Sequence, residues 1–408
     1  MEPLRVLICG GGISGPALAF WLARRGHRVV VIERFPALRT SGAQIDLRRG
    51  GIEVVRRMGL LETVRSKLVD EPGSSFVDSK NNVVGSIMAN TSGKGAQSLT
   101  SEYEITRGNL VRILYDATKD KVEYAFGKTV ERYEQDNTRV VAHFSDGSSD
   151  TYDLLVGADG QGSRVRESIL PAGSNPYHRM GVLAAYWHMP RIGTDSNVRN
   201  SYLSPRGRLI MRRSPSPTET EVLFMLRGDP KELSSVPMAS VDQQKAFWTQ
   251  QFHDAGWQVS RFLKGMATAE DFYCHEMLQV RIDKWHRGRV VLVGDAAHCP
   301  SPLTGMGTSS SIVGAYVLAG AIDRHRADLS RAFAEYEASL RPFIDEAQSR
   351  SPGPLLRIAL PYSQWGVATF NFIVRVICFL RLPDLIARFS SEDPGGWKLP
   401  NYPELYHK

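Results

Sequence analysis

Residues 4 to 33 read Leu4-Arg-Val-Leu-Ile-Cys9, then Gly10-Gly11-Gly12-Ile13-Ser14-Gly15, then Pro16-Ala-Leu-Ala-Phe-Trp-Leu-Ala-Arg-Arg25, and, after Gly26, His27-Arg-Val-Val-Val-Ile32 closed by Glu33. An apolar run, a glycine-rich turn, a helix-length segment and a second apolar run make a βαβ unit. Gly10 permits the tight turn, Gly12 has no side chain to hold a pyrophosphate away from the helix N-terminus, and Gly15 lets helix and strand pack closely. Glu33 lies about twenty residues on, where a carboxylate accepts both ribose hydroxyls. A glycine turn alone is a weak signal; with its strand, helix and terminal acid in place the reading is nucleotide binding.

Two later stretches repeat the theme of a strand ending in small residues and a carboxylate. A buried strand, Leu154 to Val156, runs into Gly157-Ala158-Asp159-Gly160, with Ser163-Arg164-Val165-Arg166 opening the next helix. Trp285 to Val293 ends in Gly294-Asp295-Ala296-Ala297-His298. Small residues at the carboxyl end of a strand leave room for a ligand. Between the signals, Ile52 to Val69 is expected to be helical, and residues 74 to 100 are a polar linker or surface hairpin. Leu110, Ile113, Leu114 and Ala117 follow helical spacing and put Arg107 at a helix start. Val122 to Ala125 and Arg139 to Phe144 read as strands.

From about 176 to 280 the texture changes to β-like stretches, Val182 to Met189, Arg208 to Met211 and Glu221 to Leu226, with one helical interval at Asp242 to Ala255. This is a candidate substrate domain inserted in the nucleotide-binding domain. A chain of 408 residues with 42% hydrophobic content accommodates two such cores. Its 50 basic and 43 acidic residues leave a net charge of +7, but the basic residues are scattered rather than gathered in a stripe with aromatics, which argues against nucleic acid as partner. The four cysteines, Cys9, Cys274, Cys299 and Cys378, lack metal or paired spacing and read as reduced core thiols; no metal is expected. The apolar N-terminus carries the glycine turn and lacks a basic n-region with a cleavage site, so a cytoplasmic protein is expected.

Taken together, the three motifs resemble the FAD-dependent aromatic hydroxylase family, single-component flavoprotein monooxygenases of the para-hydroxybenzoate hydroxylase type, over residues 1 to about 340. The resemblance implies an α/β chain: a Rossmann-like FAD-binding domain (1–73, 101–175 and 281–350), an inserted β-sheet substrate domain (74–100 and 176–280), and a helical C-terminal segment (351–408). Gly10, Gly12, Gly15 and Glu33 match the FAD fingerprint, and Ile13, Ser14 and Arg34 fall within it. Asp159 and Gly160 match the second motif, Gly294 and Asp295 the third, and Arg107 an arginine kept near the flavin. Pro302, Gly305, Met306 and Gly307 form the turn after the third motif. There the chain departs from the family, with Ser309 in place of an Asn and Gly314 in place of an Asp. The implied chemistry is tightly bound FAD, a transiently docked NADPH or NADH, and O2 as co-substrate. One oxygen atom passes through a flavin C4a-hydroperoxide to a hydrophobic, aromatic or polycyclic small molecule.

Arg48 and Arg49 are candidates for a gate at the flavin face. Tyr186, His188, Arg212 and Phe224 are candidates for the substrate pocket, although a period of two cannot tell which face is the pocket. His298 reads as structural. Residues 355 to 389 are strongly apolar, too interrupted to span a bilayer, and suited to packing on the protein ahead of peripheral contact with a membrane surface. The motifs leave open an FAD-dependent dehydrogenase or oxidative cyclase on the same scaffold, and a non-catalytic nucleotide-binding protein. Oligomeric state is not legible.

Overall fold

The computed structural model describes residues 2–89, 102–349, 355–382 and 396–406. The chain begins β1 (Arg5–Cys9), α1 (Ser14–Arg24), β2 (Arg28–Glu33), β3 (Gln44–Asp46), α2 (Gly50–Arg57) and α3 (Leu61–Arg65). It crosses to β4 (Gly73–Val77) and β5 (Val83–Met88), then returns as β6 (Glu104–Thr106), α4 (Arg107–Asp116), β7 (Glu123–Phe126), β8 (Val130–Gln135), β9 (Val140–Phe144), β10 (Ser149–Tyr152), β11 (Leu154–Gly157) and α5 (Arg164–Ile169). A second crossing gives β12 (Tyr177–Pro190), β13 (Arg199–Ser204), β14 (Arg208–Arg213), β15 (Glu219–Arg227), α6 (Pro230–Leu233), α7 (Val241–Phe252), α8 (Val259–Thr268) and β16 (Tyr273–Val280). Last come β17 (His286–Arg287), β18 (Val290–Leu292), α9 (Asp295–His298), α10 (Gly307–Arg324), α11 (Leu329–Ser349), α12 (Leu355–Ala359) and α13 (Gln364–Phe379).

The nucleotide-binding half is a six-stranded sheet in the order β17-β18-β11-β1-β2-β7, parallel except for the β17 edge. β1 and β2 pair from Arg5↔Arg28 to Cys9↔Ile32, so the glycine turn lies at the carboxyl end of β1, beside the ends of β11 and β18. That is the crevice an open parallel sheet offers to ligands. All three motifs fall there because each strand is a short, fully buried run of β-branched or aliphatic residues that ends in glycine.

The second half is a seven-stranded sheet, β16-β12-β15-β14-β13-β4-β5, antiparallel except where β4 lies parallel to β13. Its two faces bury different sets. On the far face Trp187, Phe224, Ile210 and Tyr202 pack under α7 and α8 with Trp248, Phe252 and Phe262. On the near face, Val182, Ala184, Met225 and Met277 meet Leu356 and Leu360 of the C-terminal segment, and Leu303 from the loop before α10.

Several expectations change in detail. The single helix expected from Ile52 to Val69 is two, because Gly59 takes φ +75° and turns the chain between α2 and α3. β13 and α8 carried too mixed a pattern to be read. The segment 74–100 supplies β4 and β5 to the large sheet, while its residues 90–100 lie outside the described residues. Of the stretch 351–408, the described residues hold the helices α12 and α13 and a shorter segment at 396–406. α12 and α13 lie on the large sheet, whereas Trp397 and Tyr402 pack on the nucleotide-binding half, with Trp397 Nε1 donating to Ser339 O (2.9 Å) and Tyr402 N donating to Tyr316 Oη (3.0 Å). Residues 383–389 lie outside the described residues.

Candidate functional site

The strand ends open on a cavity of about 860 Å³ lined by Gly10, Gly12, Glu33, Arg34, Arg107, Asp159, Gly160 and Asp295, all of them expected ligand residues. Gly10 sits at φ +119°, and a Cβ there would overlap the Ala158 carbonyl; a Cβ on Gly15 would overlap the Gly10 carbonyl. These two glycines let the chain turn and let α1 press onto the sheet. A Cβ at Gly12, by contrast, would meet only Arg107 Nη2, at 3.6 Å, and would project into the cavity. The first turn of α1 has no side-chain cap and no acidic residue, so its N–H groups face a ligand rather than a carboxylate. Glu33, at the end of β2, accepts from Gly11 N (2.8 Å) and Phe35 N (3.1 Å), which fixes its carboxylate at the cavity wall.

The Asp159 carboxylate has a different task. It accepts from Ser163 Oγ (2.5 Å), Arg164 N (2.8 Å) and Val165 N (3.3 Å), capping α5 from inside the turn. Burial raises its pKa, and those hydrogen bonds pull it partly back. What this motif offers a ligand is therefore the backbone around Gly160, where φ is +82° and a Cβ would meet nothing.

Asp295 is the reverse case. Its Oδ1 is buried without a hydrogen-bond partner among the described residues, and burial pushes its pKa up to about 6 against the pull of Cys299, Arg107 and Arg166. A carboxylate left unsatisfied at the wall of a cavity is a place for a ligand hydroxyl. Arg107 is half-buried, and its desolvation together with nearby Arg39 lowers its pKa; its Nη1 donates to Arg39 O (3.1 Å) and Ser41 O (2.9 Å). It clamps the 39–42 loop against the start of α4, whose cap is Thr106 accepting from Asn109 N (3.3 Å).

The turn after Asp295 does not line the cavity. Gly305 is left-handed at φ +63°, a Cβ on Gly307 would meet nothing, and α10 starts without a side-chain cap or an acidic first turn. Met306 is 3% exposed and packs into the core, so it contributes only backbone there. Pro302 opens the one-turn helix before Gly305. Ile13, Ser14 and Gly294 are packing residues of the turn; a Cβ on Gly294 would overlap Ser14 Oγ. The departures at Ser309 and Gly314 are structurally matched. Ser309 Oγ accepts from Arg48 N (2.8 Å), and Gly314 leaves room for the His298 ring, whose Nε2 would lie 3.2 Å from a Cβ there. His298 is buried against Trp285 and Tyr336, and burial lowers its pKa to about 3, which keeps it neutral and structural.

The four candidate catalytic residues separate. Tyr186 lines the cavity, its ring 5.2 Å from Tyr273 and 5.8 Å from His275, and burial pushes its hydroxyl well above the usual range. His188, two residues along the same face, meets Asp271 (Nδ1 to Oδ2, 2.5 Å) and Glu221 (3.6 Å). Burial alone would lower its pKa; the bond to Asp271 and the charge of Glu221 outweigh it and raise it. Arg48 donates from Nε to Asp46 Oδ2 (2.5 Å) and lies 3.6 Å from where a Gly305 Cβ would be, beside the turn before α10. Its neighbour Arg49 reaches Glu346 (3.3 Å) instead.

Arg212 does not join them. It lies on the far face of the sheet, 3% exposed, paired with Asp195 (3.3 Å), which Arg261 of α8 also holds. Phe224 is on that far face too. The near-face residue is the next one, Arg213, which sits with Glu71 (3.5 Å) and Glu104 (3.7 Å) while Gln44 N donates to Glu221 (3.0 Å). A one-residue shift in a strand exchanges the faces.

The sequence reading missed Arg39, Tyr273 and Arg166. Arg39 lies over the Tyr273 ring (4.8 Å), and both line the cavity. Tyr273 pairs directly with Tyr186 across the β12–β16 ladder, a register that no local pattern announces. Arg166 is fully buried and donates to Ala296 O (3.1 Å), Gln161 O (2.6 Å) and Tyr177 Oη (2.8 Å), bolting the second motif to the third. Its place on the inward side of α5 was the available signal.

A family profile described as an FAD binding domain matches residues 3–345. An FAD-dependent monooxygenase of Sarocladium schorii is 40% identical over 427 residues, covering 99% of each chain. Among solved structures, a tetracycline destructase is similar with a TM-score of 0.79 and 28% identity over 98% of this chain and 100% of that one. Klebsiella pneumoniae HpxO complexed with FAD and uric acid shares the fold, with a TM-score of 0.71 and 22% identity over 94% of this chain and 96% of that one.

Proposed function

The chain belongs to the FAD binding domain family and is an FAD-dependent monooxygenase, and from that premise we propose that it takes two electrons from NADPH or NADH and places one atom of O2 on an apolar, aromatic small molecule held against the near face of the large sheet. Substrate, O2, NAD(P)H and a proton give hydroxylated product, water and NAD(P)⁺. The bound FAD supplies the reductive activation of oxygen. The observation that carries the reading is Asp295: a buried carboxylate oxygen, without a partner among the described residues, at the wall of a glycine-lined cavity.

The residues divide the work as follows. The open N-terminus of α1 and the backbone at Gly12 and Gly160 would hold the pyrophosphate, Glu33 a ribose, and Asp295 a hydroxyl of the ribityl chain. The uncapped start of α10 offers its N–H groups and a positive field to negative charge developing beside the 305–307 turn. Arg107 holds the 39–42 loop as a wall, with Arg34, Lys128, Arg164 and Arg287 lining the cavity as further cations for phosphates.

The near face grades from polar to apolar. His188, Glu221 and Arg213 occupy one row, Tyr186, Leu223 and Met211 the next, and Ala184, Met225 and Leu209 the third. Leu303 and Leu360 close over the apolar end and exclude water. Tyr186 keeps its proton and can donate it, and His188 holds one with Asp271.

The test is the absorption spectrum of the purified protein, followed by NADPH added in air with and without a panel of phenols and polycyclic aromatics. Flavin bands, substrate-stimulated NADPH loss and a product heavier by one oxygen are expected. Bound FAD with no response to NADPH or NADH would sink the hydroxylation reading.

A further inference from the structure

Among the described residues, eight of the thirteen exposed large apolar side chains lie between Ile358 and Leu380. They are not scattered. On α13, Trp365, Phe372, Val376 and Phe379 fall at spacings of seven, four and three and make one stripe, with Leu380 beside it at the C-cap. Trp365 is 85% exposed, Phe379 84% and Phe372 67%.

The helix is held in place. Its other face is equally apolar and already used: Phe370 meets Phe76 (5.3 Å), Val374 is buried, and a Cβ on Gly85 would come within 2.8 Å of Cys378 Sγ. The segment before it is pinned to the β13–β14 turn, where Arg206 N donates to Tyr362 O (2.8 Å) and Gly207 N to Pro361 O (3.0 Å). α13 thus shows an apolar outer face that none of the other described residues covers, while its inner face is already committed to the sheet.

Charge selects the occupant. No Asp or Glu occurs between Glu346 and Asp384, whereas Arg357, Arg375 and Arg381 are exposed beside the stripe. Two copies meeting along this face would bring arginines together, but an anionic bilayer pairs with them while its acyl boundary takes the aromatic rings. At 16 residues the helix is about 24 Å long, sufficient to lie in an interface, and no helix is long and apolar enough to cross a membrane among the described residues.

We propose that the outer face of α12 and α13 docks the protein on the surface of an anionic membrane, with α13 lying in the plane of the interface. The same segment roofs the near face of the large sheet through Leu356 and Leu360, so the docked side backs directly onto the candidate substrate face. Docking does not depend on the reaction.

The test is co-sedimentation of the full-length, FAD-loaded protein with vesicles of phosphatidylcholine alone and of phosphatidylcholine mixed with phosphatidylserine. Binding to the mixed vesicles, weakened by salt, is expected. Replacing Arg375 and Arg381 by Gln should weaken it about fivefold for each charge. The triple change W365S/F372S/F379S should weaken it by roughly a hundredfold or more, with FAD content and melting temperature unchanged as evidence of folding. Retention of the triple variant equal to that of the parent overturns the proposal, as does failure of the parent to bind the mixed vesicles. A concentration-dependent dimer that the triple change abolishes would overturn it in favour of a second copy on this face.

Discussion

Asp295→Asn should stabilise the FAD-free protein and weaken its hold on FAD. The carboxyl titrates at about 6 instead of 3.8, because burial penalises the ionised form. Between those values the folded chain keeps a proton that the unfolded chain has released, so stability falls as pH rises across the window, and the whole cost is present above it. Two units correspond to about 3 kcal/mol. Since Asp295 lines the cavity and keeps partial contact with solvent, screening leaves about 1 to 2 kcal/mol. For a chain of this length that is about 2 °C in melting temperature.

Asn is isosteric and uncharged. Thermal melts of FAD-free parent and variant should therefore differ at pH 8, with the variant higher, and converge near pH 4. FAD affinity should move the other way, by about tenfold or more, because a charge-assisted hydrogen bond to the ligand is lost. A gap in melting temperature that does not change with pH, or a variant less stable at pH 8, would refute the argument that Asp295 is a buried charge awaiting a ligand.

Arg212→Ala should act on folding rather than turnover: removing it leaves the buried Asp195 with one fewer cation, a loss of about 3 kcal/mol by chemical denaturation, with the kcat of the folded fraction unchanged. Tyr186→Phe should do the opposite, lowering kcat while leaving the denaturation midpoint in place. His188, whose pKa is raised by Asp271 and Glu221, adds stability that is fully present below its ordinary pKa of 6.5 and is lost as pH rises through the higher folded value. His188→Gln should flatten that part of the stability–pH curve, and a curve that keeps its slope would remove His188 from the ionic cluster.

The nucleotide-binding half was legible because its signals are local. Gly10, Gly12, Gly15 and Glu33 lie within one βαβ unit, and backbone sterics dictate where glycine must stand. The substrate half resisted because sheet faces are set by pairing. Arg212 and Arg213 are neighbours in sequence and opposites in space, and Tyr273 joins Tyr186 only through a ladder between residues 87 positions apart. The Asp159 motif lies at the cavity wall, but the commitment of its carboxylate to α5 follows from a turn geometry that the letters do not carry.

Tyr402 fits into a notch on α10 that exists only because residue 320 is glycine, since a Cβ there would overlap its ring. The described segments on either side of residues 383–395 are thus seated on different halves of the molecule, α13 on the large sheet and Tyr402 on α10. Tyr402→Ala, a change remote from every motif, would leave that notch on α10 empty and cost the nucleotide-binding half part of its packing.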